Sequence, residues 1–166
     1  ELRVEALEPK TIQAKAQEMA LEMQEWQAEA LSFYAHLLLK WNKTYNLTSI
    51  EKEEDVLTLH ILDSLSLVKE LPFEGKTLLD VGSGGGLPAI PMAIMRPDLK
   101  VTMVDAVKKK ILFLRQVILE LRLKNAEACH TRVEDLGKGD FDWVTSRAFS
   151  SLKDFVELTQ QWIKPS

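Results

Sequence analysis

The stretch Leu78-Leu79-Asp80-Val81-Gly82-Ser83-Gly84-Gly85-Gly86-Leu87-Pro88 decides the fold of this chain. Its apolar start predicts a strand, its glycines predict a turn, and the residues after them predict a helix that begins near Gly86 or Leu87. Asp80 lies two residues before the first glycine, and Asp105 ends the next apolar run. Four glycines between carboxylates on adjacent strands are typical of proteins that bind a nucleoside-containing cofactor.

On both sides of this stretch, short apolar runs alternate with amphipathic segments. The predicted strands are Thr77–Val81, Val101–Val104, Ala126–His130 and Phe141–Thr145, and the predicted helices are Leu87–Met95, Lys108–Leu123 and Leu152–Ile163. This alternation predicts an α/β, Rossmann-like fold, with a mostly parallel twisted sheet and helices on both faces. Right-handed crossovers bring the carboxyl ends of the strands to one edge, where ligands bind at the reversal of strand order.

The residues before the sheet predict a helical N-terminal extension over 1–72 that packs on a core over 73–166. Apolar residues recur at helical spacing from Ile12 to Leu37, which predicts one long helix with at most one break. Trp41–Thr48 is expected to be a polar connector. A second helix is predicted from about Glu53 to Leu71, because Pro72 ends it. Its predicted apolar face consists of Val56, Leu59, Leu62, Leu65 and Val68.

Composition is that of a single globular domain: 166 residues, 46% hydrophobic and 28% charged. No apolar run approaches the roughly 18 residues that cross a membrane, and the acidic N-terminus is unlike a secretory signal. The single cysteine, Cys129, fits a reducing cytoplasm and is expected to be buried in a strand. We expect a cytoplasmic monomer without a metal site. The chain lacks an initiator Met and stops after a predicted helix, so we expect a truncated chain whose last strands are missing.

The net charge of −4 argues against nucleic-acid binding, but its distribution is uneven. Residues 106–133 contain seven basic and two acidic side chains, a net charge of +5. The basic ones are Lys108, Lys109, Lys110, Arg115, Arg122, Lys124 and Arg132. This segment is either a solvated helix face or a surface that contacts phosphates.

Two cofactor fingerprints compete for the glycine stretch. The dinucleotide pattern G-x-G-x-x-G/A fails from Gly82, and from Gly84 it places Ala89 inside a helix interrupted by prolines. The pattern D-x-G-x-G-x-G, typical of S-adenosylmethionine (AdoMet) methyltransferases, is met by Asp80, Gly82, Gly84 and Gly86. A carboxylate at Asp80 suits the ammonium group of AdoMet and would repel a pyrophosphate. Charge therefore favours AdoMet, and Asp105 is placed to accept the ribose hydroxyls. A glycine turn without a ligand is the remaining alternative.

Several separated motifs resemble the bacterial 16S ribosomal RNA guanine-N7 methyltransferase family, also called glucose-inhibited division protein B. They are Asp80–Pro91, Trp41–Ser49, His60–Leu65, Phe113–Val117 and Thr145–Phe149, in a match that extends from about Leu37 to Leu158. The resemblance implies AdoMet as cofactor and 16S ribosomal RNA, or a 30S assembly intermediate, as partner. The chain departs from the family pattern at Ala89, Ala106, Lys110 and Leu112.

The resemblance also implies site residues. Gly82 and Leu87 would touch AdoMet, Gly84 and Gly86 would shape the loop, and Asp105 would hold the ribose. Val133 and Glu134 would lie beside the adenine, and Arg147 matches a cofactor-site arginine.

Guanine N7 carries a lone pair and no proton, so methyl transfer to it needs no general base. Catalysis would come from holding the two reactants in near-attack geometry. Asn46, His60 and Asp63 are the candidates for the edge that faces the target base. The alternatives are a methyltransferase acting on a protein or small molecule, a non-catalytic AdoMet- and RNA-binding assembly factor, and a nicotinamide dehydrogenase.

Overall fold

A computed structural model describes residues 7–47, 54–70, 76–136, 139 and 141–146. Its helices are α1 (Pro9–Glu18), α2 (Glu25–Tyr45), α3 (Glu54–Glu70), α4 (Ala89–Met95) and α5 (Lys108–Leu121). Its strands are β1 (Thr77–Val81), β2 (Lys100–Asp105), β3 (Ala126–His130) and β4 (Trp143–Ser146). A 3₁₀ turn spans Val133–Asp135. The predicted helix Leu152–Ile163 and the candidate Arg147 lie outside the described residues.

The four strands form one parallel sheet in the order β3-β2-β1-β4. The parallel βαβ arrangement is thus confirmed, and β1 and β3 have the predicted bounds. β4 begins at Trp143 instead of Phe141, which forms an isolated bridge. The chain steps outward from β1 to β3 and then returns to the other side of β1. Strand order therefore reverses between β1 and β4, where a parallel sheet of this kind leaves a crevice for ligands.

The core lies mainly on one face of the sheet. Buried side chains of all five described helices join one cluster with Leu78, Val101, Met103 and Ala128. Alternation along the strands sends Leu79, Val81 and Val104 to the other face, where they pack with Leu136 and Phe141. Helices on this second face stay a prediction, and the predicted helix over 152–163 lies outside the described part of the chain.

The N-terminal segment forms two helices, because the long predicted helix breaks between Glu18 and Glu25. The connector predicted from Trp41 is wrong as far as Tyr45, since α2 continues through these residues. Packing explains the extension: the Trp41 ring lies 5.5 Å from that of Phe113. Tertiary contact thus overrides the polar composition of this segment. Asn46 ends the helix in the left-handed conformation, with φ of 50°.

The prediction of α3 is confirmed in extent, and in its buried face it is confirmed for Leu65 and Val68 but wrong for Leu59. Leu59 is 62% exposed, and the buried line consists of Leu57, Ile61, Leu65 and Val68. The predicted series advanced by three residues at every step, and such a series drifts around a helix of about 3.6 residues per turn. Steps of four, four and three keep the observed residues on one side.

Candidate active site

The glycine loop lies at the carboxyl ends of β1 and β2. The amides of Gly82 and Ser83 both donate to the carbonyl oxygen of Val104, at 2.9 and 3.2 Å. The amide of Gly86 donates to the carbonyl oxygen of Ser83 at 2.8 Å. Hydrogen bonds therefore join the loop to β2 and also connect residues within the loop.

Two glycines of this loop are required for different reasons. Gly86 has a φ of +91°, and a Cβ there would lie 2.7 Å from Cγ1 of Ile90 and 3.0 Å from Cδ2 of Leu114. Gly84 has a φ of +55°, but a Cβ there would meet only ordinary contact distances, the nearest being 3.4 Å to the Leu47 carbonyl oxygen. Packing thus excludes a side chain at Gly86, and conformation disfavours one at Gly84.

The helix after the loop begins later than predicted. α4 starts at Ala89, and Pro88 is its N-cap, so the expected start near Gly86 or Leu87 is wrong. The amide of Ile90 donates to the carbonyl oxygen of Gly86 at 2.7 Å, and every residue of α4 is buried. The turns from Gly84 to Pro88 and the proline ring delay the helix. The Ile90 amide is therefore engaged within the chain.

Asp105 is joined to the glycine loop by its side chain. Its Oδ2 accepts the Gly84 amide at 3.0 Å, and its Oδ1 accepts the Val107 amide at 2.9 Å. Asp105 is 7% exposed. Each oxygen of a carboxylate has two acceptor sites, so both can still accept a ribose hydroxyl. Asp105 thus also stabilises the glycine loop through the Gly84 amide, a role that the sequence did not predict.

Asp80 lies below the loop, at the point where strand order reverses. Its Oδ1 accepts the Thr145 hydroxyl at 3.0 Å, which joins β1 to β4, and the residue is 1% exposed. The predicted interaction with a cofactor ammonium group stays a prediction.

Tyr34 of α2 is a site-supporting residue that the sequence analysis missed. Its hydroxyl donates to the carbonyl oxygen of Gly85 at 2.6 Å, and its side chain is fully buried. The only sequence signal was a tyrosine on the apolar face of a helix, since a buried tyrosine needs a partner for its hydroxyl. α2 therefore contacts the glycine loop directly.

The remaining candidates are distributed around the same edge of the sheet. The turn that contains Val133 and Glu134 follows β3, and the Thr131 amide before it donates to the Asp105 carbonyl oxygen at 3.1 Å. Glu134 is exposed, whereas Leu87 is 4% exposed. Asn46 is exposed and directly precedes Leu47, whose carbonyl faces Gly84.

The other two substrate-side candidates lie on α3. His60 is half-buried and Asp63 is exposed, and within the described residues neither forms a hydrogen bond with the glycine loop. Cys129 is in β3 as predicted, but it is partly rather than fully buried. Burial raises the pKa of its thiol, nearby Glu127 raises it further, and Arg115 opposes them.

Comparison with known proteins identifies the family. The GidB family model, described as rRNA small subunit methyltransferase G, matches residues 27–166. The chain belongs to the GidB family. A ribosomal RNA small subunit methyltransferase G of Chromobacterium violaceum is 54% identical over 144 residues, 86% of this chain and 68% of that protein. The same-named GidB relative from Ectopseudomonas mendocina is 49% identical over 146 residues, 87% of this chain and 68% of the relative.

Solved structures agree on the fold of this GidB chain. A SAM-dependent methyltransferase from Aquifex aeolicus aligns with a TM-score of 0.53 and 24% identity, over 64% of this chain and 61% of that one. A putative S-adenosyl-L-methionine-dependent methyltransferase from Methanococcus maripaludis aligns with a TM-score of 0.57 and 17% identity, over 78% and 57%. The predicted Rossmann-like methyltransferase fold is confirmed. None of the described helices is long and apolar enough to span a membrane.

Proposed function

We propose that this protein transfers the methyl group of AdoMet to N7 of a guanine in 16S ribosomal RNA. One observation carries the proposal: a GidB chain brings its glycine loop and Asp105 together at the carboxyl edge of the sheet. Relatives that are 45–54% identical are named for methylation of small-subunit ribosomal RNA.

The residues present fit AdoMet. Both oxygens of Asp105 keep acceptor capacity for the ribose hydroxyls, and the loop above them has no side chain at Gly84 or Gly86. The proposed cofactor contacts are Asp80, Gly82, Gly84, Gly86, Leu87, Asp105, Val133, Glu134 and Arg147. When bound, AdoMet supplies a methyl group on a cationic sulfur. The chain's own residues orient and enclose the reactants.

A dinucleotide fits this loop less well. A pyrophosphate binds where a helix presents free amides, but the Ile90 amide is bonded to Gly86 and Pro91 has none. The carboxylate of Asp80 below the loop adds an unfavourable negative charge. The dehydrogenase alternative is therefore disfavoured on both backbone and charge grounds.

The proposed substrate explains why no general base is needed. Guanine N7 offers a lone pair without a proton, so the protein has to position the base and not deprotonate it. Asn46 directly precedes Leu47, whose carbonyl oxygen faces Gly84, so it is the substrate-side candidate beside the glycine loop. His60 and Asp63 stay candidates. The base has to be accessible, which favours naked 16S RNA or a 30S assembly intermediate. We infer a cytoplasmic, monomeric enzyme in which residues 1–72 pack on a core formed by residues 73–166.

Methyl transfer to RNA from a strain that lacks this guanine methylation tests the proposal. Radiolabelled AdoMet is incubated with 16S RNA or 30S particles, and strand cleavage at N7-methylguanine locates the product. Asp105→Asn serves as the impaired variant, because an amide replaces one acceptor oxygen with a donor facing a backbone amide.

Transfer to protein or to small molecules only would contradict the proposal. AdoMet binding without any transfer would favour an assembly factor, and calorimetry with NAD tests the dehydrogenase alternative.

A further inference from the structure

Three aromatic rings lead from the core to the surface at the end of α2. Phe113 of α5 is fully buried, and the Trp41 ring lies 5.5 Å from it. The Tyr45 ring lies 5.3 Å from that of Trp41, and Tyr45 is 43% exposed. The outermost ring is therefore accessible, and its packing against the half-buried Trp41 constrains its orientation.

This group of rings adjoins the glycine loop. Leu47 follows Tyr45 by two residues, and its carbonyl oxygen lies 3.4 Å from the position that a Cβ of Gly84 would take. α5 begins at Lys108, three residues after Asp105. The end of α2 and the start of α5 thus meet at the carboxyl edge of the sheet, beside the proposed cofactor site.

Basic side chains lie one helical turn before Phe113 on α5. Lys109 and Lys110 precede Phe113 by four and three residues, which places them on the same side of the helix as the ring. Lys109 is exposed and Lys110 is half-buried. No acidic residue occurs between residues 106 and 119, so no carboxylate in this part of the helix neutralises them.

A supported aromatic ring beside lysines matches single-stranded RNA. Nucleobases stack on aromatic faces when they are not paired, and lysines bind the phosphates between them. We propose that the aromatic–basic patch, which consists of Trp41, Tyr45, Lys109 and Lys110, binds a single-stranded RNA segment next to the target guanine. Tyr45 stacks on one base, and the two lysines contact phosphates of the same RNA segment. The choice of RNA as occupant rests on the proposed function.

Fluorescence anisotropy with a labelled, guanine-containing single-stranded RNA of twelve nucleotides tests this inference on the whole protein. Tyr45→Leu removes the aromatic face and should weaken binding about tenfold. Tyr45→Phe keeps that face and should bind within about twofold of the wild type. Lys109→Gln with Lys110→Gln should reduce the slope of log affinity against log salt by about 1.4.

Lys100→Gln with Lys124→Gln is the matched control. Both lysines are exposed at the amino edge of the sheet, so the double substitution removes the same charge far from the patch. It should leave the salt slope within error of the wild type. Equal losses in the two double variants would overturn the patch, because they would indicate a non-specific charge effect.

AdoMet affinity, measured by calorimetry on every variant, separates this inference from the proposed function. Unchanged AdoMet affinity with weakened RNA binding in Tyr45→Leu supports the patch, even if no methyl transfer is found. Wild-type RNA affinity in Tyr45→Leu overturns it, even if the protein methylates 16S RNA. Equal affinity for a duplex of the same length, or no RNA binding by the wild type, also overturns it.

Discussion

The buried hydroxyl of Tyr34 joins α2 to the glycine loop. It donates to the Gly85 carbonyl oxygen from one side, while the Gly86 amide of the same peptide unit donates to Ser83 from the other. Both polar groups of this peptide unit are thus engaged, which restricts its rotation. Loop geometry at the site therefore depends on a residue 51 positions earlier in the chain.

Tyr34→Phe should raise the AdoMet Kd by about three- to tenfold. The substitution keeps the ring but removes a buried hydrogen bond worth about 0.5–1.5 kcal/mol, and it leaves the Gly85 carbonyl without this donor. Calorimetry measures the Kd, and chemical denaturation shows whether the protein stays folded. Tyr45→Phe removes an exposed hydroxyl and is the control; an equal change in AdoMet Kd there would argue against loop support by Tyr34.

Alanine substitutions at the two loop glycines should differ sharply. Gly86→Ala forces Cβ to within 2.7 Å of Ile90 in a fully buried site and should destabilise the protein by several kcal/mol, about 3 or more. Gly84→Ala meets only conformational strain, about 1–2 kcal/mol. Urea denaturation of both variants measures the difference. Similar losses would show that the packing around Gly86 can relax.

At the scale of elements, one side chain organises the amino edge of the sheet. Nδ2 of Asn125 lies 3.0, 3.0 and 2.8 Å from the carbonyl oxygens of Ala93, Arg96 and Leu99, and its two protons are shared among these three acceptors. These carbonyls lie at the end of α4 and in the turn into β2. The residue before β3 therefore fixes how α4 connects to its neighbouring strand.

Asn125→Asp should destabilise the protein by about 1–3 kcal/mol, because a carboxylate cannot donate to three partly buried carbonyls. AdoMet affinity should change little, since the contacts lie at the edge opposite the glycine loop. Lys124→Ala, at the exposed neighbouring position, provides the control in the same denaturation experiment. A loss of AdoMet binding greater than the loss of stability would contradict this separation of the two edges.

The helices α2 and α3 show which structural features could be predicted from sequence patterns. The spacing of apolar residues predicted the extent of α3, but its buried face required the contacts made by Leu57 and Ile61. The end of α2 was missed because Trp41 packs on a residue 72 positions later, and local composition does not encode that partner.

At the scale of the whole molecule, the glycine loop is part of the main core. Gly86 approaches Ile90 of α4, Leu114 of α5 and Tyr34 of α2, so three helices meet around one glycine. A ligand that binds the loop should therefore stabilise the entire fold and not only a local segment.

AdoMet at a hundred times its Kd should raise the free energy of unfolding by about 2.7 kcal/mol in a single cooperative transition. Thermal unfolding followed by circular dichroism and by tryptophan fluorescence checks this, since the two signals should shift together. NAD at the same concentration should cause no shift. A shift in one signal alone would mean that the loop unfolds separately from the sheet.

Sequence patterns correctly predicted the parallel α/β class, the bounds of β1 and β3, and the methyltransferase type of the glycine loop. These features follow from local periodicity, turn chemistry and motif spacing, which short segments encode. The Tyr34 contact to Gly85, the Asp105 hydrogen bond to Gly84 and the burial of Leu57 and Ile61 on α3 became visible in the folded structure alone. Each of these depends on side chains that are distant in sequence and meet only after packing has set the distances between elements.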